Sequence, residues 1–222
     1  MLAGEAVVAI WNGIAEDARD AFYAWHQTEH MPERVGIPGF LRGRRYVAAG
    51  PDTRPEFFTL YEAETLQVLQ GAGYQDRLNA PTPWTRNVTA RFLDTSRALA
   101  RVVESRGPCM GGVVLTLRFD ADPGSEIALR RLVQATADGA RITGAHLCVG
   151  DLVASAVRTT ETKDRRDIRE PPTWFAMIEA TGIEALAEVL ADAALMEAGA
   201  KGPIVRGCYR LETVRNKTSF AR

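Results

Sequence analysis

The 222-residue chain is poor in the features that mark specialised proteins. It has only three cysteines, Cys109, Cys148 and Cys208, too scattered for a disulfide framework or a zinc knuckle, and this usage fits a reducing cytoplasm. It has no excess of one charge. Lys and Arg number 27 against 28 Asp and Glu, net −1, so nothing supplies the basic surface that nucleic acid requires. It has no long uncharged stretch either. The longest, 65–75 and 107–117, cover eleven residues each, where a membrane-crossing helix needs about 18 or more apolar residues. The opening MLAGEAVVAIW lacks a basic stretch before its apolar residues and carries Glu5 early, so no signal peptide is expected. No Gly-rich phosphate loop, G-x-S-x-G elbow or paired C-x-x-C occurs, and Gly71-Ala72-Gly73 reads as a helix stop. What is left is an ordinary globular composition, 46% hydrophobic and 25% charged. Its length is long for one small domain and short for two of about 150 residues.

An internal repeat accounts for the length. PEFFTLYEAETLQVL (55–69) lies over PTWFAMIEATGIEAL (172–186) at offset 117, which sets Phe58 on Phe175, Glu62 on Glu179, Ala63 on Ala180 and Leu69 on Leu186. Collinear matches flank it. Val7–Trp11 falls on Val113–Leu117 at offset 106, Ile37-Pro38-Gly39 on Ile142-Thr143-Gly144 at 105, and Leu93-Asp94-Thr95 on Leu211-Glu212-Thr213 at 118. Hydrophobic periodicity gives each copy the order β-α-β-β-α-β, the split βαβ or ferredoxin-like unit. The predicted elements of the first copy are a strand over 5–11, a helix over 16–31, strands over 41–49 and 57–63, a helix over 65–78 and a strand over 88–93. Those of the second are 113–119, 125–137, 146–159, 174–180, 183–198 and 205–213. The halves are then 1–95 and 109–222, joined by a linker over 96–108 whose SRALARVVES composition favours a helical turn before Gly107-Pro108. A half of about 100 residues would leave one apolar sheet face bare, so the two sheets are expected to pack on each other. The fold class is α+β, two fused ferredoxin-like halves making one pseudo-dimeric α/β barrel.

The order of elements, the I-P-G turn and the WHQTEHMPE segment together resemble the dimeric α/β-barrel superfamily, here as a tandem fusion supplying both halves of one barrel. The H-x-P at His30-Met31-Pro32 is similar to the EthD-like group. The resemblance implies small-molecule chemistry, since the superfamily holds monooxygenases, lactone isomerases and haem-degrading enzymes beside proteins without known activity, and the fold alone does not choose among them.

One constellation carries titratable chemistry. His26, Glu29 and His30 stand among Phe22 and Trp25 on the first predicted helix. At 100° per residue, Glu29 falls in the middle of the apolar stripe with His26 and His30 on its border. A carboxylate facing a sheet has its charged form disfavoured, and beside an imidazole it could exchange protons near neutral pH. Glu29 is therefore the candidate proton acceptor or donor, His26 its polarising partner and His30 a substrate contact. The bland alternative is that Glu29 bonds Arg34 or backbone amides and the histidines are border residues. The i, i+4 histidines could also share a metal with Glu29 as a further ligand, but Glu29 is displaced toward the stripe centre and the third histidine, His146, is in the opposite half. At offset 106 the cluster becomes Ala128, Arg131, Leu132, Ala135 and Thr136, so any site is single and belongs to the N-terminal half. Trp11, Phe22, Trp25, Tyr61 and Trp84 are candidate pocket residues, with plain core packing as the alternative. Asn79–Arg86, with Pro81 and Pro83, reads as a stiff extended connection that could fold over the pocket mouth. Arg42, Arg44 and Arg45 read as charges guarding a strand edge, or as holders of an anionic group. Arg158–Glu170 reads as a mobile exposed loop.

The expected function is a small cofactor-independent enzyme, of proton-transfer, isomerase, lyase or monooxygenase type, acting on an apolar or aromatic metabolite. The alternative is a non-catalytic binding or assembly module, and haem chemistry is a third option. The partner is a small molecule, with neither nucleic acid nor membrane, and the chain works as a monomeric pseudo-dimer or as a homodimer.

Overall fold

The structure, a computed structural model, describes residues 1–218. Eight antiparallel strands close on themselves: β1 (Ala6–Ile14), β2 (Phe40–Ala48), β3 (Phe57–Ala63), β4 (Phe92–Arg106), β5 (Val113–Ala121), β6 (Ile142–Gly150), β8 (Trp174–Ala180) and β9 (Ala200–Asn216). Around the barrel they run β1-β3-β2-β9-β5-β8-β6-β4 and back to β1, and the two-residue β7 (Ile168–Arg169) adds in parallel outside β4. Each half contributes four barrel strands in the ferredoxin-like order, as the repeat implies.

Two long strands join the halves. β4 pairs with β1 along 92–101, completing the first sheet, while its 100–106 end crosses to β6. β9 does the same in mirror fashion, pairing with β5 and then with β2. Residues 96–106 are therefore strand, not the helical linker that their composition suggests. SRALARVVES has good helix formers, but alternation places Ala98 and Ala100 inside the barrel and Arg97 and Leu99 outside, and the edges of β1 and β6 offer it partners. Pairing overrides a weak local preference.

The register refines the repeat. Leu60 opposes Arg44 and Met177 opposes His146, so the 117 offset holds to the residue for β3 and β8. β1 maps onto β5 at 107, one more than expected, because Val7 opposes Glu62 and Val114 opposes Glu179. β2 maps onto β6 at 102 rather than 105. Phe92 and Ala200 oppose Ile14 and Ala121, which puts the closing strands near 108 and makes the 118 match of Leu93 with Leu211 a coincidence. The second half is shorter there. Its helical layer is a 3₁₀ turn (Ile183–Leu186) and α8 (Asp192–Glu197), where the first has α3 (Leu66–Gln70), α4 (Ala72–Asn79) and α5 (Pro83–Thr89).

The barrel interior is packed with side chains from both halves, among them Trp11, Tyr46, Phe58, Ala98, Ala100, Cys148, Phe175, Met177 and Tyr209. Phe58 and Phe175, the repeat mates, both contact Trp11, one stacked at 5.1 Å and one edge-on at 5.4 Å. The outer faces carry the helices. α6 (Glu126–Thr136) and α8 cover the second half. α1 (Arg19–Trp25), α2 (Met31–Gly36), α3 and α4 cover the first. β2 is paired on both sides, so Arg44 and Arg45, 1% and 3% exposed, are interior cations and not edge guards. Two glycines set the first helical layer. Gly39, at φ +84°, makes the I-P-G turn, a left-handed conformation that other residues rarely take. Gly43 has no side chain where Met31 and the Tyr61 ring press against the sheet, at about 3 Å from any Cβ placed there.

Candidate functional site

A cavity of about 370 Å³ lies between the outer face of the first half's sheet and its first helix, on the scale of small-ligand sites. Strand alternation lays its floor: Ile10 and Asn12 of β1, Thr59 of β3, and Thr95 and Arg97 of β4. Phe22, Trp25, His26 and His30 form the roof, and Thr89 and Phe92 close one side. The far wall is the segment from Ser155 to Pro171, which belongs to the second half.

The first helix is not continuous. Between α1 and α2, His26–His30 form one turn of π-helix, whose wider i→i+5 bonding is frequent at functional sites. This changes which side chains face the sheet. The 100° spacing puts Glu29 inward and the histidines at the border, whereas the π turn buries His26 (3% exposed) and His30 (6%) and leaves Glu29 half-buried. Glu29 does not line the cavity and makes no bond to His26. Its Oε1 accepts hydrogen bonds from Thr82 Oγ1 (2.6 Å) and Thr85 Oγ1 (3.1 Å). Thr82 caps the N-terminus of α5, accepting from the Thr85 backbone N–H, and Thr85 Oγ1 also accepts from Trp25 Nε1. Glu29 thus ties the first helix to α5 and holds the Trp25 indole in place. The stiff connection expected over 79–86 becomes this helix, with Pro83 at its first turn.

The two histidines differ. His26 Nδ1 lies 3.4 Å from Arg45 Nη1, and its Nε2 lies 3.5 Å from the Tyr61 hydroxyl. Arginine only donates, so Nδ1 accepts and the proton sits on Nε2. Burial, then the Arg45 charge, lowers its pKa to about 3, and the ring is neutral. The His30 ring packs against Trp25 at a tilt of 35°, centroids 4.3 Å apart, and its Nδ1 is buried without a hydrogen-bond partner. Burial and the charge of Arg34, with His26 close by, hold it well below the ordinary imidazole value.

Of the other candidate residues, Phe22 and Trp25 line the cavity. Trp11 does not. It points into the barrel, donating to Thr116 Oγ1, because its neighbours Ile10 and Asn12 take the outward positions. Tyr61 sits behind His26, outside the lining, and burial raises its pKa. Trp84 is 38% exposed on the outer side of α5. Among the described residues no cluster of three or more His, Cys, Asp and Glu is placed to hold a metal.

The stretch 158–170 is a strap and not a free loop. Glu161 pairs at 2.6 Å with Arg34, whose side chain is 3% exposed. Its backbone N–H donates to Leu78 O, and the Thr160 N–H donates to Asn79 Oδ1. Asp167 accepts from Thr95 Oγ1 and pairs with Arg165, whose guanidinium covers Phe92. Sequence reading missed the strap, the floor and Arg97. The alternation of Ile10 and Asn12 is visible in the sequence, but Arg97 lies in a stretch whose composition favours a helical turn.

No family model matches the sequence, and no curated protein matches it. The fold has solved counterparts. An anthrone oxidase-like protein shares 12% identity over 95% of this chain and 92% of its own, with TM-score 0.60. A candidate monooxygenase from Lactobacillus acidophilus shares 11% over 96% of each chain, with TM-score 0.57. Another from Fusobacterium nucleatum shares 11% over 97% of this chain and 96% of that one, with TM-score 0.56. The chain has the ferredoxin-like, dimeric α/β-barrel fold of these proteins. No helix among the described residues is long and apolar enough to cross a membrane.

Proposed function

We propose that the protein is a small cofactor-independent, monooxygenase-like enzyme that removes a proton from an aromatic metabolite in the N-terminal cavity. The observation that carries this reading is the unpaired Nδ1 of His30, buried in the lining of an aromatic-walled cavity. A buried polar atom without a partner is costly in a finished structure, and a ligand group satisfies it. The names of the counterparts, two candidate monooxygenases and an anthrone oxidase-like protein, support oxygen chemistry on a carbon acid.

His30 takes the role of proton acceptor that Glu29 held in the sequence reading. An empty cavity disfavours its imidazolium, and the substrate enolate formed beside it supplies the missing counter-charge. The enolate carbon then reduces O2 and bonds to it. The resulting hydroperoxide loses water, so a CH2 plus O2 becomes C=O plus H2O. His26, fixed by Arg45 and Tyr61, holds the roof and hydrogen-bonds no substrate atom. The closed barrel needs no second copy, and the enzyme works as a monomer.

Oxygen uptake by the purified full chain, with anthrone and related polycyclic phenols as probes, tests the proposal. Turnover is expected, and His30→Asn should lower kcat by about 10²–10⁴-fold, the usual worth of a general base. Binding in the cavity without oxygen uptake would favour the non-catalytic module. A sharp Soret band after haem addition would replace the proposal with haem chemistry.

A further inference from the structure

Arg97 lines the cavity with no carboxylate paired to its guanidinium. It stands on the floor opposite Ile10 in the β1–β4 register, and its Nε and Nη2 are both buried with no hydrogen-bond partner. Most other charged groups of the lining are engaged. Arg165 pairs with Asp167, Arg169 with Asp94 and Glu161 with Arg34, and Arg158 donates to Thr162 O. Glu170 lines the cavity too, and accepts no hydrogen bond from Arg97 Nε or Nη2.

We propose that Arg97 binds the carboxylate of an aromatic acid, so that the cavity selects aromatic acids over neutral aromatics of the same shape. This rests on the reading of the cavity as the ligand site and adds the class of substrate. Nε and Nη2 form the side edge of the guanidinium, two parallel N–H donors that match the two oxygens of one carboxylate. A hydroxyl or an amide answers only part of that edge. The floor around it is polar, with Asn12, Thr59 and Thr95, while Phe22 and Trp25 in the roof are aromatic. A flat ring therefore stacks under the roof with its acid toward Arg97 and a second polar group toward His30.

Binding of 2-naphthoate and of its neutral isostere 2-naphthamide to the full chain, followed by calorimetry, tests this without turnover. Naphthoate is expected to bind about 10- to 100-fold more tightly, the usual worth of a charged, bidentate hydrogen bond. Arg97→Gln should erase that preference, bringing naphthoate affinity down to that of naphthamide, and Arg97→Lys should keep part of it. Thermal melting checks that both variants fold. If Arg97→Gln does not, the ratio in the unaltered protein and in Arg97→Lys decides. Equal binding of the two probes, or a preference that survives Arg97→Gln, overturns the role of Arg97 and leaves the cavity reading standing. Failure of both probes to bind overturns the two together.

Discussion

Arg44 and His146 occupy equivalent positions in the two halves, and each meets the glutamate of its own half inside the barrel. Arg44 Nε lies 3.0 Å from Glu62 Oε1, an ion-pair distance without hydrogen-bond geometry, and His146 Nε2 lies 3.2 Å from Glu179 Oε1. Arg44 Nη1 then reaches across to Glu179 at 2.8 Å and joins the halves. Ser105 Oγ on His146 Nδ1, Arg42 on Glu62 and the Gly111 N–H on Glu179 complete the network. The repeat mates Glu62 and Glu179 thus share one guanidinium, which is why a glutamate recurs on a strand otherwise buried on both faces.

Acid should loosen this network first. Burial alone would raise Glu179, but the His146 hydrogen bond and the Arg44 charge outweigh it and hold the carboxyl at about 2, against an ordinary 4.5. The stability that it contributes is present above about 4.5 and is lost as pH falls toward 2, on the order of 3 kcal/mol in all. His146 acts in the same direction. Burial lowers its pKa, so the unfolded chain takes up a proton below 6.5 that the folded chain does not. The urea midpoint is expected to hold near neutrality, decline below about pH 6.5 and drop more steeply below 4.5. Glu179→Gln should cost about 3–5 kcal/mol at neutral pH, because it leaves Arg44 with Glu62 alone and takes the carboxylate from His146, and should flatten the steep part. A midpoint unchanged from pH 7 to pH 3 would contradict this account.

Glu29 is expected to be a stability residue. Glu29→Ala removes the acceptor of two threonine hydroxyls at the start of α5 and should cost about 1–2 kcal/mol by urea denaturation. Ligand affinity should stay within about twofold, since Glu29 lies outside the cavity lining. A large loss of affinity at unchanged stability would restore the carboxylate to the site.

Much of this fold was legible because strand periodicity and repeats are local and additive. The 117 offset joined Phe58 to Phe175 and Glu62 to Glu179, and from two copies of one unit the barrel followed. The second closing strand, expected over 205–213, lies within β9, but the first was not legible. Ser96–Arg106 has helix-forming composition, and only its pairing with β1 and β6, distant in sequence, makes it a strand. The site was half legible for a different reason. Phe22, Trp25, His26 and His30 cluster in the sequence, but a regular α-helix gives them the wrong facing, and one π turn exchanges the places of Glu29 and the histidines. Trp11 failed by the period of two, since a strand covered on both faces gives no hydropathy cue to which face is which.

The eight barrel strands are each paired on both sides, leaving only the short β7 at an outer edge. A chain that closes its own barrel has, among the described residues, no sheet edge longer than the two residues of β7 to offer a second copy. Light scattering coupled to size exclusion should therefore give 24.3 kDa, independent of concentration. A mass of about twice that value at micromolar protein would show a pairing surface outside the sheet.

The strap should govern ligand release. Glu161 is its main anchor, and Glu161→Ala leaves the buried Arg34 with Glu33 alone, at 3.0 Å. The cost, about 1–3 kcal/mol, should fall on local opening of 158–170 and not on the barrel, because the strap packs fewer apolar side chains than the strands do. Amide exchange across 158–170 is expected to quicken by about tenfold or more while β1 stays protected. Ligand dissociation should quicken with it, and association should change little, since the floor and the aromatic roof remain in place. If exchange quickens and dissociation does not, the strap is a brace for Arg34 and the ligand leaves by another route.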